Sequence, residues 1–336
     1  MNKTLFILIN TFLILSFYCN PYKLPDEKTV DINQTAFAHY TAGVELYNEG
    51  NYYEAMTEAN QAIALNQRFA QFYQLQGDIF RAQGNNTAAL KAYDQAVNLR
   101  SNFTDVYHSM GQIYFIEKRF EDALRAFKRV IANDPSNHEM SLEIARCYIE
   151  LNELEVAYND LADYRRLKLV MNEDLVPEYY KLLGIVYYKF GRFKDAIPQF
   201  EKYIAFYPDN TNALFLLGTC YYEQKEFERG LKCFNKLISK DNTIGKWYLY
   251  RGIYFYNKND YPDAESQLRH ALNLDHSLNK AHYFLGKIYE AQGKVQAALD
   301  EFREYRKSMR ETVEANELEK TIFQLENLEQ KKEIPD

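Results

Sequence analysis

The stretch from Gly184 to Pro208, GIVYYKFGRFKDAIPQFEKYIAFYP, carries a pattern that recurs along the chain. A glycine begins the pattern, and an aromatic residue, an alanine, a second aromatic residue and a proline follow it at offsets of 3, 12, 16 and 24. The same skeleton begins at Gly111 and, without its proline, at Gly286. A pattern that returns at a fixed period indicates a repeat architecture rather than one globular core.

Aligned on this glycine, residues 36–312 divide into eight repeats, of which seven have 34 residues and the fourth has 39. The repeats, numbered 1 to 8 in chain order, are 36–69, 70–103, 104–137, 138–176, 177–210, 211–244, 245–278 and 279–312. The glycine column, position 8 of each repeat, reads Gly43, Gly77, Gly111, Ala145, Gly184, Gly218, Gly252 and Gly286. Seven of the 13 glycines therefore stand in one column.

Each repeat predicts two antiparallel helices. Apolar residues recur at positions 4, 7, 8 and 11 and again at 17, 20, 24 and 27, which is helical spacing. Glycine inside a helix costs about 1 kcal/mol relative to alanine, so a glycine column indicates close packing. We expect position 8 to face the small residue at position 20. Glycines between the two helices, such as Gly50 and Gly191, suit a turn with positive φ.

The 34-residue period with these glycine, alanine and aromatic columns resembles the tetratricopeptide repeat family. The resemblance covers 36–312. It implies an all-α fold, a right-handed α-solenoid of antiparallel helix pairs (a TPR superhelix), in which the first helices line a concave groove. It also implies a non-enzymatic scaffold whose partners are other proteins or peptides.

Composition and motifs agree with a non-catalytic role. The chain of 336 residues has 40 basic and 47 acidic residues and a net charge of −7, which disfavours nucleic acid as a partner. We find no phosphate-binding glycine loop and no metalloprotease motif. His39 and His282 stand at position 4, where we expect packed or hydrogen-bonded core histidines. The sequence thus predicts no catalytic residue, no metal and no cofactor.

Three cysteines lie inside the repeats, at Cys147, Cys220 and Cys233. They show neither C-x-x-C nor zinc-finger spacing. We expect them to be small buried apolar residues; the alternative is a disulfide between Cys220 and Cys233.

The amino terminus reads as an export signal. In residues 1–18 a lysine precedes a short apolar run, which is shorter than the roughly 20 residues that span a bilayer. Cys19 follows directly and resembles the lipidated cysteine of a bacterial lipoprotein, which implies a membrane-anchored protein of the bacterial cell envelope, periplasmic or surface-facing. An uncleaved anchor and a simply secreted chain are the alternatives. Residues 19–35 are polar and predict a flexible tether.

The carboxyl terminus predicts a capping helix at 313–328, with an apolar stripe that shields the end of the array. A tail follows at 329–336. Just before the helix, Arg303, Arg306, Lys307 and Arg310 form a basic stripe, read either as a solvated face or as a patch for anionic lipid or an acidic partner.

The fourth repeat is the irregular one, with five extra residues near Leu167–Glu173. They predict either a longer loop between repeats or a hinge between repeats 1–4 and 5–8.

Positions 2, 5, 9 and 12 of the first helices carry no packing duty on a helical wheel, so their content is informative about ligands. Repeats 2–4 place polar residues there: Gln71, Gln74, Asp78, Asp105, His108, Gln112, Glu139 and Arg146. Repeats 5–8 place apolar residues there: Ile185, Tyr188, Phe215, Tyr222, Leu249, Ile253, Tyr256 and Tyr283. The second set predicts a peptide- or protein-binding groove; burial within the chain and a dimer interface are the alternatives.

These observations predict an adaptor, an envelope lipoprotein that binds a segment of another protein in its groove. The alternative function is a surface-exposed or secreted module that contacts host or neighbouring-cell proteins.

Overall fold

A computed structural model describes residues 27–309 and 313–332, and within those ranges every regular element is an α-helix. The helices are α1 (Glu27–Asn48), α2 (Tyr52–Leu65), α3 (Ala70–Ala82), α4 (Asn86–Leu99), α5 (Thr104–Ile116), α6 (Phe120–Asn133), α7 (Met140–Glu150), α8 (Leu154–Met171), α9 (Pro177–Lys189), α10 (Phe193–Phe206), α11 (Thr211–Glu223), α12 (Phe227–Lys240), α13 (Gly245–Asn257), α14 (Tyr261–Leu274), α15 (Asn279–Ala291), α16 (Val295–Lys307) and α17 (Val313–Lys332). The predicted signal peptide, Cys19, residues 20–26 of the tether and 333–336 of the tail lie outside the described residues.

The helices group into two compact units, an N-terminal unit at Met1–Leu151 and a C-terminal unit at Asn152–Asp336. In the N-terminal unit α1 packs with α2, α3 with α4 and α5 with α6. In the C-terminal unit the packed pairs are α9 with α10, α11 with α12, α13 with α14 and α15 with α16. The predicted all-α solenoid of helix pairs is confirmed.

The turn between the two helices of a repeat has the same backbone form throughout. Gly50, Gly84, Gly191 and Gly293 have φ between +70° and +81°, as predicted. In the other repeats the same position is a lysine or an asparagine, and it also has positive φ, near +60°: Lys118, Asn152, Lys225 and Asn259. The left-handed residue that ends the first helix is therefore a property of the repeat, and glycine only makes it easier to adopt.

The glycine column has a different main contact from the one predicted. A Cβ on Gly184 would lie 2.8 Å from the ring of Phe200, and one on Gly218 would lie 2.9 Å from the ring of Phe234. Both rings stand at position 24 of their repeats. The expected contact with position 20 is also present, because a Cβ on Gly230 would lie 3.1 Å from the carbonyl oxygen of Gly218. In five of the seven repeats that have this glycine an aromatic ring of the second helix lies over it, whereas Leu268 lies over Gly252 and Leu75 is nearest to Gly43.

The first helix begins earlier than the sequence predicts. Residues 27–35 of the predicted tether belong to α1, so the expectation of a non-helical segment is wrong there. The reason is tertiary: Asn33 is buried and accepts a hydrogen bond of 2.6 Å from the side-chain amide of Asn66. A polar side chain with a buried partner gives no apolar signal in the sequence.

The extra residues of the fourth repeat lengthen a helix. They extend α8 to Met171, so the predicted longer loop is wrong. Helical packing persists because Leu161, Tyr164 and Lys168 are buried along one face. The helix ends at Asn172, which has φ of +55°.

The predicted capping helix corresponds to α17. Ala315, Leu318 and Leu325 are buried, and Leu318 and Leu325 join the core cluster that contains Phe302 of α16. Leu328, predicted on the same apolar stripe, is 52% exposed because the stripe does not stay in contact along the whole helix.

Two arginines of the basic stripe have partners inside the chain, and Arg310 lies outside the described residues. Arg303 pairs with Glu326 at 2.6 Å, and Arg306 pairs with Glu319 at 2.7 Å. These two arginines therefore bind α17, which neither predicted reading included.

Candidate protein-binding site

The predicted groove residues lie on the first helices of the C-terminal unit, α9, α11, α13 and α15. Six of them are half-buried: Ile185, Tyr188, Phe215, Tyr222, Tyr256 and Tyr283. Leu249 and Ile253 are 4% and 1% exposed, so the prediction that they line a groove is wrong. Both belong to the same core cluster as Ala264 and Leu268 of α14, and this face of α13 turns inward.

The structure brings two further aromatic residues to this surface, Tyr250 and Phe284, both half-buried. Each stands at position 6 of its repeat, one residue after a position that the sequence argument examined. The aromatic residues at position 6 of repeats 7 and 8 could have indicated this part of the surface from the sequence. We call the set Tyr188, Phe215, Tyr222, Tyr250, Tyr256, Tyr283 and Phe284 the aromatic face.

One half of the aromatic face centres on Tyr250. Its ring stacks on the core ring of Phe234, with 4.8 Å between centroids and 9° between planes. The rings of Phe215 and Tyr222 meet Tyr250 edge-on at 5.6 and 5.7 Å. Edge-to-face contacts at these distances stabilise aromatic pairs. Tyr250 of α13 thus holds two side chains of the preceding first helix, α11, in fixed positions.

The other half centres on Phe284. Its ring meets Tyr256 edge-on at 5.2 Å and Tyr283 at 5.3 Å. Tyr283 in turn lies 5.3 Å from Tyr305 of α16. The predicted position-12 residues Tyr222 and Tyr256 are therefore each fixed by a ring from the next repeat.

The phenols of Tyr188, Tyr222 and Tyr250 are neutral at physiological pH. Burial raises the pKa of Tyr222 to about 12, helped by the nearby charge of Glu223 and opposed by a hydrogen bond with Asn257. Burial is also the first cause that raises the pKa of Tyr188 and that of Tyr250. A neutral phenol offers a partner both a hydrogen-bond donor and an acceptor.

A cleft of about 580 Å³ adjoins the aromatic face at Phe215. Lys246 and Trp247 also line this cleft. The ammonium of Lys246 lies 5.4 Å from the centroid of the Phe215 ring, and the Phe215 and Trp247 rings are 5.5 Å apart. The indole Nε1 of Trp247 is buried and has no hydrogen-bond partner among the described residues.

Several polar first-helix residues of the N-terminal unit bond to neighbouring side chains. Tyr93 donates to Asp78 at 2.6 Å, Arg81 donates to Gln112 at 3.0 Å, and Gln112 and His108 lie 3.2 Å apart. A cleft of about 570 Å³ lies beside Arg81 and Gln112. The donors and acceptors of this surface are largely satisfied within the chain.

The remaining candidate residues have structural roles. His39 and His282 hydrogen-bond Glu58 and Glu301, each at 2.6 Å, which confirms the expected hydrogen bonds. Both histidines are half-buried rather than part of the core. Cys147, Cys220 and Cys233 are buried free thiols, which confirms the first interpretation of the cysteines.

Residues 27–309 and 313–332 contain neither a candidate metal site nor a candidate membrane span. No group of three or more histidine, cysteine or carboxylate side chains there is placed to hold a metal ion. No helix in that part of the chain is long and apolar enough to cross a membrane.

Family models match several parts of the chain. Models described as TPR repeat or tetratricopeptide repeat match residues 77–116, 114–166 and 249–310. A model described as anaphase-promoting complex, cyclosome, subunit 3 matches residues 189–271.

Curated relatives match over short segments. Superkiller complex protein 3 of Homo sapiens is 25% identical over 130 residues, which cover 37% of this chain and 8% of that protein. Anaphase-promoting complex subunit 3 of Schizosaccharomyces pombe is 25% identical over 151 residues, which cover 43% of this chain and 22% of that protein. The chain therefore spans only a small part of the length of these relatives.

A solved tetratricopeptide repeat protein from Parabacteroides merdae superposes with a TM-score of 0.54 at 17% identity, over 76% of this chain and 98% of that one. At this identity the similarity shows the fold alone. It agrees with the paired helices described above.

Proposed function

We propose that this chain is a non-enzymatic scaffold that binds a segment of another protein on its aromatic face. The matches to repeat models support its membership of the tetratricopeptide repeat family. Proteins of this family are in general scaffolds for protein interactions. Similarity of fold does not identify a partner, so the proposal depends on the surface itself.

The aromatic face is the observation that carries the proposal. Its rings are held by one another and by core residues such as Phe234, yet they remain partly exposed. Tyrosine and tryptophan are favoured as interface anchors because they bury a large area and lose little side-chain freedom. Rings that are already fixed lose even less of it when a partner binds.

The chemistry of the face fits an uncharged, partly apolar segment. Neutral phenols line it, and their hydroxyls can bond the backbone of an extended chain while their rings cover apolar side chains. Lys246 beside Phe215 adds a positive charge at one edge. The proposed ligand is therefore an extended segment with apolar or aromatic side chains.

A pair of alanine substitutions tests the face. Tyr222→Ala with Tyr256→Ala should weaken capture of cross-linked partners from intact envelopes at least tenfold, about 1.4 kcal/mol, because each truncation removes a fixed anchor. Partner yield is measured by quantitative mass spectrometry against the parent. Circular dichroism should show unchanged helical content, since neither residue contacts the glycine column.

The matched control is the polar surface of the N-terminal unit. Gln74→Ala with Gln112→Ala should leave capture nearly unchanged. If the glutamine pair abolishes capture and the tyrosine pair does not, the binding surface is in the N-terminal unit and the proposal is wrong.

We further propose that the protein is a lipoprotein of the bacterial cell envelope, anchored through Cys19. The short apolar run before a cysteine supports this, and each buried acyl methylene contributes about 0.8 kcal/mol to membrane binding. Cys19→Ala should move the protein from the detergent fraction to the soluble fraction and remove labelling by a fatty-acid probe. An unchanged distribution without labelling in the parent contradicts lipidation.

The alternative function is a module displayed towards host or neighbouring-cell proteins. Such a module would be accessible from outside the cell, whereas a periplasmic scaffold would not. Protease added to intact cells would digest a displayed module and leave a periplasmic scaffold intact. Digestion would favour the alternative.

A further inference from the structure

Position 7 of the first helix is a core position in most repeats. Met110, Ile144, Leu183, Leu217 and Leu285 stand there, and none is more than 7% exposed. Repeat 7 has Arg251 at this position. Native proteins break such local rules mainly at functional or strained sites, so a cation among packing residues needs a reason.

The guanidinium of Arg251 has no carboxylate partner. Its Nε and Nη2 both donate to one neutral oxygen, Oε1 of Gln267, at 2.8 and 2.5 Å. The group also lies 5.0 Å from the centroid of the Tyr248 ring. Among residues 27–309 and 313–332 no ion pair joins Arg251 to an aspartate or glutamate. Its positive charge is therefore uncompensated within the described chain.

Arg251 lines a cleft of about 500 Å³ between α13 and α14. Ser266, Arg269 and His270 lie on the α14 side, and none of the residues that line the cleft is acidic. The ring of His270 packs edge-on against Tyr248 at 4.3 Å, which orients its nitrogens. The cleft, which we call the basic cleft, thus gathers hydrogen-bond donors without a carboxylate.

The second arginine of the cleft is already balanced. Nε of Arg269 lies 3.0 Å from Glu265, and the guanidinium also bonds the hydroxyl of Tyr289. The unbalanced charge of the basic cleft therefore belongs to Arg251.

Repeat 2 has a cleft at the same place with different chemistry. Gln76 takes the place of Arg251, and its amide is bonded to Asn60 at 2.9 Å. Asp94 takes the place of Arg269 and lines a cleft of about 460 Å³. The hollow between paired helices thus belongs to the repeat. The repeat 2 cleft has both the cation Lys91 and the carboxylate Asp94 in its lining, whereas the repeat 7 cleft has cations and no carboxylate.

We propose that the basic cleft binds a phosphate-type oxyanion. A guanidinium presents donors in a planar fork that matches phosphate oxygens, and Nη1 of Arg251 donates to no described residue. The hydroxyl of Ser266 and the imidazole of His270 supply further donors at the mouth. The oxyanion is either inorganic phosphate or the phosphate of a monoester, and this proposal does not depend on the aromatic face.

The test is a titration of the full chain at pH 7 and constant ionic strength. Inorganic phosphate, phenyl phosphate and acetate are added separately, and the ring ¹H–¹³C signal of His270 and the thermal midpoint are followed. We expect a saturable shift with a millimolar Kd for the phosphates, binding of acetate at least tenfold weaker, and a rise in thermal midpoint with phosphate, because the ligand binds only the folded state.

Arg251→Leu is the decisive variant because it places at position 7 the large apolar residue type that most of the other repeats have there. It should fold with an equal or higher thermal midpoint and lose phosphate binding at least tenfold. Arg251→Gln serves as the second variant, with the same loss expected. The matched control Gln76→Leu, which changes position 7 in repeat 2, should bind phosphate like the parent.

Each outcome decides a point. Tighter binding of phenyl phosphate than of inorganic phosphate assigns the site to a monoester, and the reverse assigns it to the free ion. Equal binding of acetate overturns the preference for phosphate. A shift that does not saturate, or that persists in both Arg251 variants, is a general salt effect and overturns the proposal.

Discussion

The first helices of repeats 2–4 and those of repeats 5–8 share one packing scheme, but their surfaces differ in chemistry, polar in the first set and aromatic in the second. In the N-terminal unit Asp78, Arg81 and Gln112 bond to neighbouring side chains. In the C-terminal unit the surface is made of tyrosine and phenylalanine rings that contact each other and stay half-buried. The comparison shows that the contact between the glycine at position 8 and the ring at position 24 holds the two helices together. The surface positions do not take part in it and can be polar or aromatic.

The two surfaces differ in what a partner can add. Polar groups that already bond to each other gain little when they exchange those bonds for new ones. Half-exposed rings gain further hydrophobic stabilisation for every part of their area that a partner covers. This asymmetry favours the C-terminal unit as the binding region.

The largest expected effect separates core from surface within α13. Ile253→Ala should lower the free energy of unfolding by about 2–5 kcal/mol, because Ile253 is fully packed and the change leaves a cavity. Tyr256→Ala, one turn away on the aromatic face, should cost clearly less. Urea unfolding of both variants measures this. Equal losses would mean that Tyr256 is a core residue and that the aromatic face is smaller than described.

The next effect tests whether the two regions truly share their packing. Gly77→Leu and Gly218→Leu should each cost about 1–3 kcal/mol through overpacking, since each glycine lies under the ring of Tyr93 or Phe234. Thermal unfolding measures both. Ser239→Leu, an exposed change on α12, should stay within about 0.5 kcal/mol. A glycine variant that overlays the parent would contradict the shared contact in its repeat.

A smaller effect probes the polar surface. Burial raises the pKa of Asp78, and the charge of Arg81 partly opposes that rise. Arg81→Ala removes this charge and the donor to Gln112. We expect a loss of about 0.5–1.5 kcal/mol and no change in partner capture. Chemical denaturation and the capture assay measure the two quantities. Weaker capture with intact stability would give the polar surface a binding role and remove the contrast.

The smallest effect at neutral pH concerns the thiols of both regions. Burial raises the pKa of Cys147 and Cys220 to about 12 and that of Cys233 to about 11. Unfolded thiols ionise near 9, so the unfolded state loses protons first and stability should fall only as the pH rises from about 9 to about 12. At pH 8 a thiol reagent should label Cys147, Cys220 and Cys233 in the denatured chain and spare these three in the native one. Rapid native labelling of one thiol would show that its region opens.

Local rules were enough for the repeat and its turn. The period, the glycine column and the left-handed turn each depend on a few neighbouring residues, and the structure contains them. The partner of the glycine was missed because Phe200 and Phe234 stand sixteen residues after the glycine that each covers. The recurrence of aromatic residues at position 24 does not tell which neighbouring helix their rings face. The groove prediction had the same weakness, since it assigned Leu249 and Ile253 to the surface and overlooked Tyr250.

By itself the sequence determined the helix pair, because helical spacing and turn chemistry are properties of short segments. Only the tertiary structure decided which side chains each helix shows to solvent. The inward turn of α13, the pairing of Arg306 with Glu319, the burial of Asn33 and the unpaired charge of Arg251 all depend on groups from another helix. Burial is a relation between elements, and the free energy of a side chain depends on the neighbours that remove it from water.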